Sequence, residues 1–175
     1  MYDGDTGALL SRWAPGEIDL RRGQTYRVAV RADGAEVAIG QPSGRVVRVD
    51  ARRGAVLGEF RALGGNITAL AYSVDGTTVA AAGGETTAAG PSMRLIDADS
   101  GLIIADREAH DQTIRSVVFS RDARWLLSGA EDGQLLVWSA VAEWTTRSCE
   151  LAGRDLTDAE RARYLRAEDR AARVC

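Results

Sequence analysis

Apolar and polar positions alternate along residues 28–39, 67–81 and 114–128, and each stretch is broken near its middle by a short turn. The turns are Asp33-Gly34, Asp75-Gly76 and Asp122-Ala123, with the aspartates 42 and 47 residues apart. Alternation with a period of two predicts strands with one buried face, and a central Asp-Gly-type turn makes each stretch a β-hairpin. A third strand is expected at residues 45–49, 92–96 and 134–138. Turns at residues 50–54 and 97–101 lead into fourth strands at 56–60 and 103–107. The chain opens in the same way, with a turn at residues 2–7 and an apolar segment at 8–13. Asp3, Asp50 and Asp97 are spaced by 47 residues twice over.

A four-stranded antiparallel unit cannot bury both of its faces alone, so such units stack side by side. Radial stacking of four-stranded sheets gives a β-propeller, and runs of small residues (Ala80, Ala81, Ala82, Gly83, and Ala38 with Gly40) suit strands crowded by neighbouring units. The expected fold is all-β. It is a partial propeller of about three four-stranded antiparallel blades over residues 1–140, with repeats at about 14–60, 61–107 and 108–140, and a short helical C-terminal tail at 141–175. Propellers need at least four blades, so the remaining blades are expected from upstream sequence or from other chains.

The last repeat carries the most specific motif. It reads Ala109-His110, then Ser128-Gly129-Ala130-Glu131-Asp132-Gly133, then Leu136-Val137-Trp138-Ser139. This resembles the WD40 repeat family, with Ala-His where the family usually has Gly-His. The resemblance implies a buried structural tetrad of His110, Ser128, Asp132 and Trp138. Its chemistry is self-consistent, because an indole N–H is donor-only, a hydroxyl accepts and donates, and an imidazole accepts on one nitrogen and donates on the other. The same three residue types also compose a nucleophilic triad, but Ser128 lies within a strand and not on a Gly-x-Ser-x-Gly elbow. The earlier repeats depart from the pattern. Gln24, Ile39, Ser43 and Val49 occupy the four places in the first repeat, and Leu63, Ala81 and Ile96 occupy three of them in the second, where residues 85–91 enlarge a loop. Those repeats are expected to rely on apolar packing and turn chemistry.

From Val141 the period lengthens, with Val141, Trp144, Ser148 and Leu151 on one helical face, and Thr157-Asp158-Ala159-Glu160 forms a capping box for a helix over about 158–172. The segment Cys149-Glu150-Leu151-Ala152-Gly153-Arg154-Asp155-Leu156-Thr157, with Tyr164 and the closing Cys175, resembles the tail of bacterial multidomain WD40 proteins, although Arg161 stands where Trp is usual. That resemblance implies a signalling or regulatory protein with an NTPase, kinase or DNA-binding part upstream.

Composition narrows the function. The net charge is -3, and the basic residues are all Arg, scattered among Asp and Glu without the clustered footprint that nucleic acid requires. No apolar run approaches bilayer-spanning length, and residues 2–5 do not start a secretory signal, so a cytoplasmic location is expected. The two cysteines and the single His110 do not make a metal site, and the pairing of Cys149 with Cys175 stays open. No cofactor is expected.

The leading expectation is a non-catalytic protein–protein interaction or scaffold module with a protein partner in cis or in trans. Its candidate contact segments are 21–26, 61–66, 111–113, 41–44, 85–92 and 131–133. The alternatives are an intramolecular regulatory or self-assembling propeller element and, further behind, a hydrolase or small-ligand propeller.

Overall fold

In the computed structural model the described residues are 27–84, 91–108 and 110–139, with Thr6 and Thr157 singly. They form eleven strands: β1 (Arg27–Val30), β2 (Glu36–Gly40), β3 (Arg45–Asp50), β4 (Val56–Arg61), β5 (Asn66–Tyr72), β6 (Thr78–Gly84), β7 (Pro91–Asp97), β8 (Ile103–Arg107), β9 (Ile114–Phe119), β10 (Trp125–Ala130) and β11 (Leu135–Ser139). Sequential strands pair antiparallel into three sheets, ordered β1-β2-β3-β4, β5-β6-β7-β8 and β9-β10-β11. The described residues adopt the all-β architecture anticipated from the alternation, with four strands in each of the first two sheets and three in the last. The anticipated strand at 8–13, the contact segment 21–26, Gln24, most of the enlarged loop and the helical tail with its two cysteines lie outside them.

Local chemistry explains the turns. In each β1–β2-type hairpin the turn aspartate accepts the backbone N–H two residues on. Asp33 takes Ala35 N at 2.9 Å, Asp75 takes Thr77 N at 3.1 Å and Asp122 takes Arg124 N at 3.2 Å. The turns into the fourth strands are equally alike. Asp50 accepts Arg53 N and Asp97 accepts Ser100 N, both at 2.7 Å, and each turn closes on a glycine with φ of 70° (Gly54 and Gly101). The third strand of the last sheet begins one residue later than the periodicity suggests. The Gln134 N–H is held by Asp132 Oδ1 at 2.9 Å and so belongs to the turn.

The sheets pack face to face through their inner strands, with β5 against both β1 and β9. One apolar cluster lies between the first two sheets. It joins Ala38 and Val46 to Leu63, Ile67, Tyr72, Val79, Ala81, Ile96 and Ala98. A second joins Ala69, Ala80, Ala82, Met93, Leu95 and Ala105 to Ile114, Val117 and Leu126. A third, of Val37, Ile39, Val47, Val49 and Ala51, occupies the other face of the first sheet. Small residues allow this closeness. A Cβ added at Gly40 would sit 2.7 Å from Ile67 Cγ2, and Ala38, Ala80, Ala81 and Ala82 are wholly buried.

Candidate functional site

His110 precedes β9, Ser128 lies in the middle of β10, Asp132 sits in the β10–β11 turn and Trp138 lies near the end of β11. The structure brings all four together. The His110 ring meets Asp132 Oδ2 at 2.9 Å through Nδ1 and Ser128 Oγ at 2.8 Å through Nε2, and Trp138 Nε1–H donates to the same Oγ at 2.9 Å. A carboxylate only accepts, so Nδ1 must carry the imidazole proton and Nε2 must accept the Ser128 hydroxyl. The protons then run one way, from Trp138 to Ser128 to His110 to Asp132.

Asp132 also accepts the backbone N–H of Asp111 at 3.0 Å and that of Gln134 at 2.9 Å. Burial works against its charge, yet the N–H donors of Gln134 and Asp111 and the His110 ring hold its carboxyl below the ordinary value. The unit thus ties the segment before β9 to the β10–β11 turn, and a backbone bond from Glu131 N to Thr113 O at 3.1 Å reinforces the tie.

The order Asp–His–Ser is also that of a nucleophilic triad, and its distances fall in the catalytic range. Ser128 is 1% exposed, and its oxygen already receives the Trp138 indole proton, an environment that suits a structural hydrogen-bond chain better than an attacking nucleophile. Among the described residues no group of three or more His, Cys, Asp or Glu is placed to hold a metal ion. No helix among them is long and apolar enough to cross a membrane.

Apolar side chains fill the corresponding places in the second sheet. Leu63, Ala81 and Ile96 are 1%, 0% and 0% exposed and belong to one cluster. In the first sheet Ile39 and Val49 are buried together, and Ser43 Oγ reaches Gln41 Oε1 at 3.5 Å.

The described candidate contact segments lie along one edge of the sheets and are stitched in pairs. Segment 41–44 joins segment 61–66 through Ala62 N and Leu63 N, which donate to Gly44 O at 2.8 and 3.0 Å. A side chain at Gly44 would lie 2.2 Å from Leu63 O, and its φ of 79° favours glycine as well. Segment 111–113 joins 131–133 as described above.

One polar group was not anticipated from the sequence. Glu36, at the start of β2, is 2% exposed. Its Oε1 meets Arg48 Nε and the Tyr72 hydroxyl, each at 2.5 Å, and its Oε2 meets Arg48 Nη2 at 3.0 Å and Arg31 Nη1 at 3.2 Å. Burial alone would raise the Glu36 carboxyl, but the Arg48 and Tyr72 hydrogen bonds and the two guanidinium charges leave it below the ordinary value. Burial, together with the carboxylate, pushes the Tyr72 hydroxyl well up. The available signal was parity: Glu36 and Arg48 fall on the same inward-facing rows of β2 and β3 as Ala38 and Val46.

Comparison with known proteins agrees with this geometry. Residues 102–139 match the family model "WD domain, G-beta repeat". No curated protein matches the chain significantly in sequence. Among solved structures, the crystal structure of RRP9 WD40 repeats and the structure of U3-55K are both similar. Each superimposes with a TM-score of 0.62 at 17% identity, over 70% of this chain and 37% of theirs. The chain therefore matches little more than a third of the length of those structures. Folds of this kind serve in general as protein–protein interaction scaffolds and are in general non-catalytic. Antiparallel sheets of three or four strands packed through their inner strands, a polar unit tying the last of them and the match over residues 102–139 converge on one statement: this chain carries a WD40 repeat on a partial WD40 propeller fold.

Proposed function

We propose that this chain is a non-catalytic protein–protein interaction module, the sensor or regulatory part of a larger bacterial signalling protein that works in the cytoplasm. The signalling setting rests on the resemblance of residues 149–165 to the tails of bacterial multidomain WD40 proteins. The tetrad His110, Ser128, Asp132 and Trp138 serves this function as scaffold, holding one loop edge rigid so that partner contacts need no further ordering.

The observation that carries the binding role is the outer face of the third sheet. Val118, Leu127 and Val137 lie in one cross-strand row, flanked on the same face by Trp125 and Leu135. Val118, Trp125, Leu135 and Val137 are between 41% and 67% exposed. The equivalent row of the second sheet is Ala71, Ala80 and Leu95 with Met93 beside it, and it packs against the third sheet. Positions that elsewhere in this molecule meet a neighbouring sheet thus stand open here, next to a β11 edge that has no fourth strand among the described residues. The partner that fits is a protein sheet with an apolar face, supplied in cis by further repeats or in trans by another chain. Nucleic acid fits poorly, because Arg31, Arg45, Arg48, Arg94 and Arg115 each pair with a carboxylate.

A photo-crosslinker at Val137 tests this, with one at exposed Val56 on the outer strand of the first sheet as control. Protein crosslinks at 137 and few at 56 are expected, and Leu135→Asp should suppress them. Equal labelling at both positions would remove the basis of the proposal. Sequencing the crosslinked peptide separates further repeats of the same chain, a second copy and an unrelated protein.

A further inference from the structure

The three sheets present the same rows of positions to one another, and that creates a problem of identity. Any sheet's inner face can pack in principle on the wrong neighbour, within one chain or between copies. The boundary between the first and second sheets differs in kind from the next one. At the first boundary Arg48 binds Glu36 through two nitrogens, as described above, and continues across to the Ala98 carbonyl and to Asp99 Oδ1, the latter at 3.0 Å. Tyr72 donates to Glu36 from the second sheet. The Arg31 stem crosses the β5–β6 turn so closely that a Cβ at Gly76 would fall 2.6 Å from its Cδ. Both Glu36 oxygens are bound by arginines of its own sheet, and the second sheet adds the Tyr72 hydroxyl on Oε1 and the Ala98 and Asp99 acceptors for Arg48.

At the second boundary the registers put Thr78 in the place of Glu36, Leu95 in that of Arg48 and Phe119 in that of Tyr72. None of these three can ionise, and Leu95 and Phe119 belong to the apolar cluster there. A buried ion pair is a poor source of net stability, because desolvation offsets its attraction, whereas burying its members without the hydrogen-bond partners that the facing sheet supplies is costly. That combination discriminates between neighbours.

We infer that Glu36, Arg48 and Tyr72 form a pairing key, which makes the face of the first sheet accept only the second sheet's face and not an apolar face of the third sheet or of another copy. Against the third sheet, Phe119 offers Glu36 no hydroxyl. Against the open Val118–Leu127–Val137 row, Glu36 and Arg48 keep each other, but the row's hydrocarbon replaces the Tyr72 hydroxyl on Glu36 and the Ala98 carbonyl on Arg48, leaving buried polar atoms short of partners.

The test converts the first boundary into the chemistry of the second. A variant with Glu36→Thr, Arg48→Leu and Tyr72→Phe is compared with a volume-matched variant carrying Glu36→Met, Arg48→Met and Tyr72→Phe, both in the full chain. Each is refolded as a mixture of two differently tagged copies at rising concentration, beside the unaltered protein. The expected result is a melting temperature close to that of the unaltered protein in at least one variant, with about tenfold more mixed-tag complex from that variant, as for the loss of one unpaired buried polar group. A stable variant that gives no more mixed complex than the unaltered protein overturns the inference. So does the unfolding of both variants, since the network would then supply stability and not selectivity.

Discussion

The second and third sheets solve one structural problem with opposite chemistry. Leu63, Ala81 and Ile96 fill with hydrocarbon the three places that His110, Ser128 and Trp138 fill with a directed chain of hydrogen bonds. Leu63, Ala81, Ile96, His110 and Ser128 are buried and Trp138 is half-buried, and both sets link the segment before the inner strand to the two strands that follow. The apolar version is tolerant of geometry, because dispersion and burial are non-directional. The polar version demands distances near 2.9 Å and one tautomer, and in return it fixes the β10–β11 turn through Asp132. Packing alone therefore suffices to hold such a sheet, and the polar unit adds orientation more than net stability.

The largest effect is expected where the hydrocarbon solution is emptied. Ile96→Ala should cost about 2–5 kcal/mol in chemical denaturation, since the surrounding residues are wholly buried and can collapse little. His110→Ala should cost about 1–3 kcal/mol by stranding the Ser128 hydroxyl and removing one of the donors to Asp132. If His110→Ala instead left stability unchanged, the polar unit would not be holding the turn. The sharper variant grafts one solution onto the other. His110→Leu, Ser128→Ala and Trp138→Ile together should fold and lose less stability than the three single changes summed, because buried polar partners leave in concert. A loss equal to the sum would show that the two sheets are not interchangeable.

Acid probes the charged groups in the same spirit. The folded carboxyls of Glu36 and Asp132 lie below their ordinary values of 4.5 and 3.8, so their contribution is present above those values and is lost as pH falls below them. Thermal melts should therefore decline as pH drops from 5 toward 3, and Glu36→Gln should flatten the decline. An unchanged slope in that variant would mean that Glu36 does not drive it.

The smallest effect concerns a backbone difference between the same two sheets. Gly76 and Ala123 hold equivalent turn positions at φ of 74° and 57°, and only the alanine carries a Cβ in that region. Ala123→Gly is expected to raise stability by up to about 1 kcal/mol, while Gly76→Ala should lower it through strain and collision with Arg31.

Much of this was legible in the chain, for a physical reason. Turns built on Asp33, Asp50, Asp75, Asp97 and Asp122 satisfy their own backbone within three residues, so their signal is local. The alternation between them follows from the two-residue period of a strand. The His110 unit was legible through the resemblance of the last repeat to the WD40 pattern, all four of its members lying within that one repeat. The Gln134 boundary was missed by one residue, since it depends on which carboxylate oxygen captures an N–H.

What the sequence by itself determined is therefore the repeat, the hairpins and the all-β class, each encoded in contacts within one sheet, while the residues of the polar unit came from a family resemblance. Only the tertiary structure decided what happens between sheets. It brought Glu36 to Tyr72 and Arg48 to Ala98 across 36 and 50 residues of chain. It also turned Val28 and Val30 outward while burying Ala38, and it left the Val118–Leu127–Val137 row open. Alternation specifies that a strand has two faces; which face meets a neighbour depends on the stacking of whole sheets, and no residue's local chemistry carries that information.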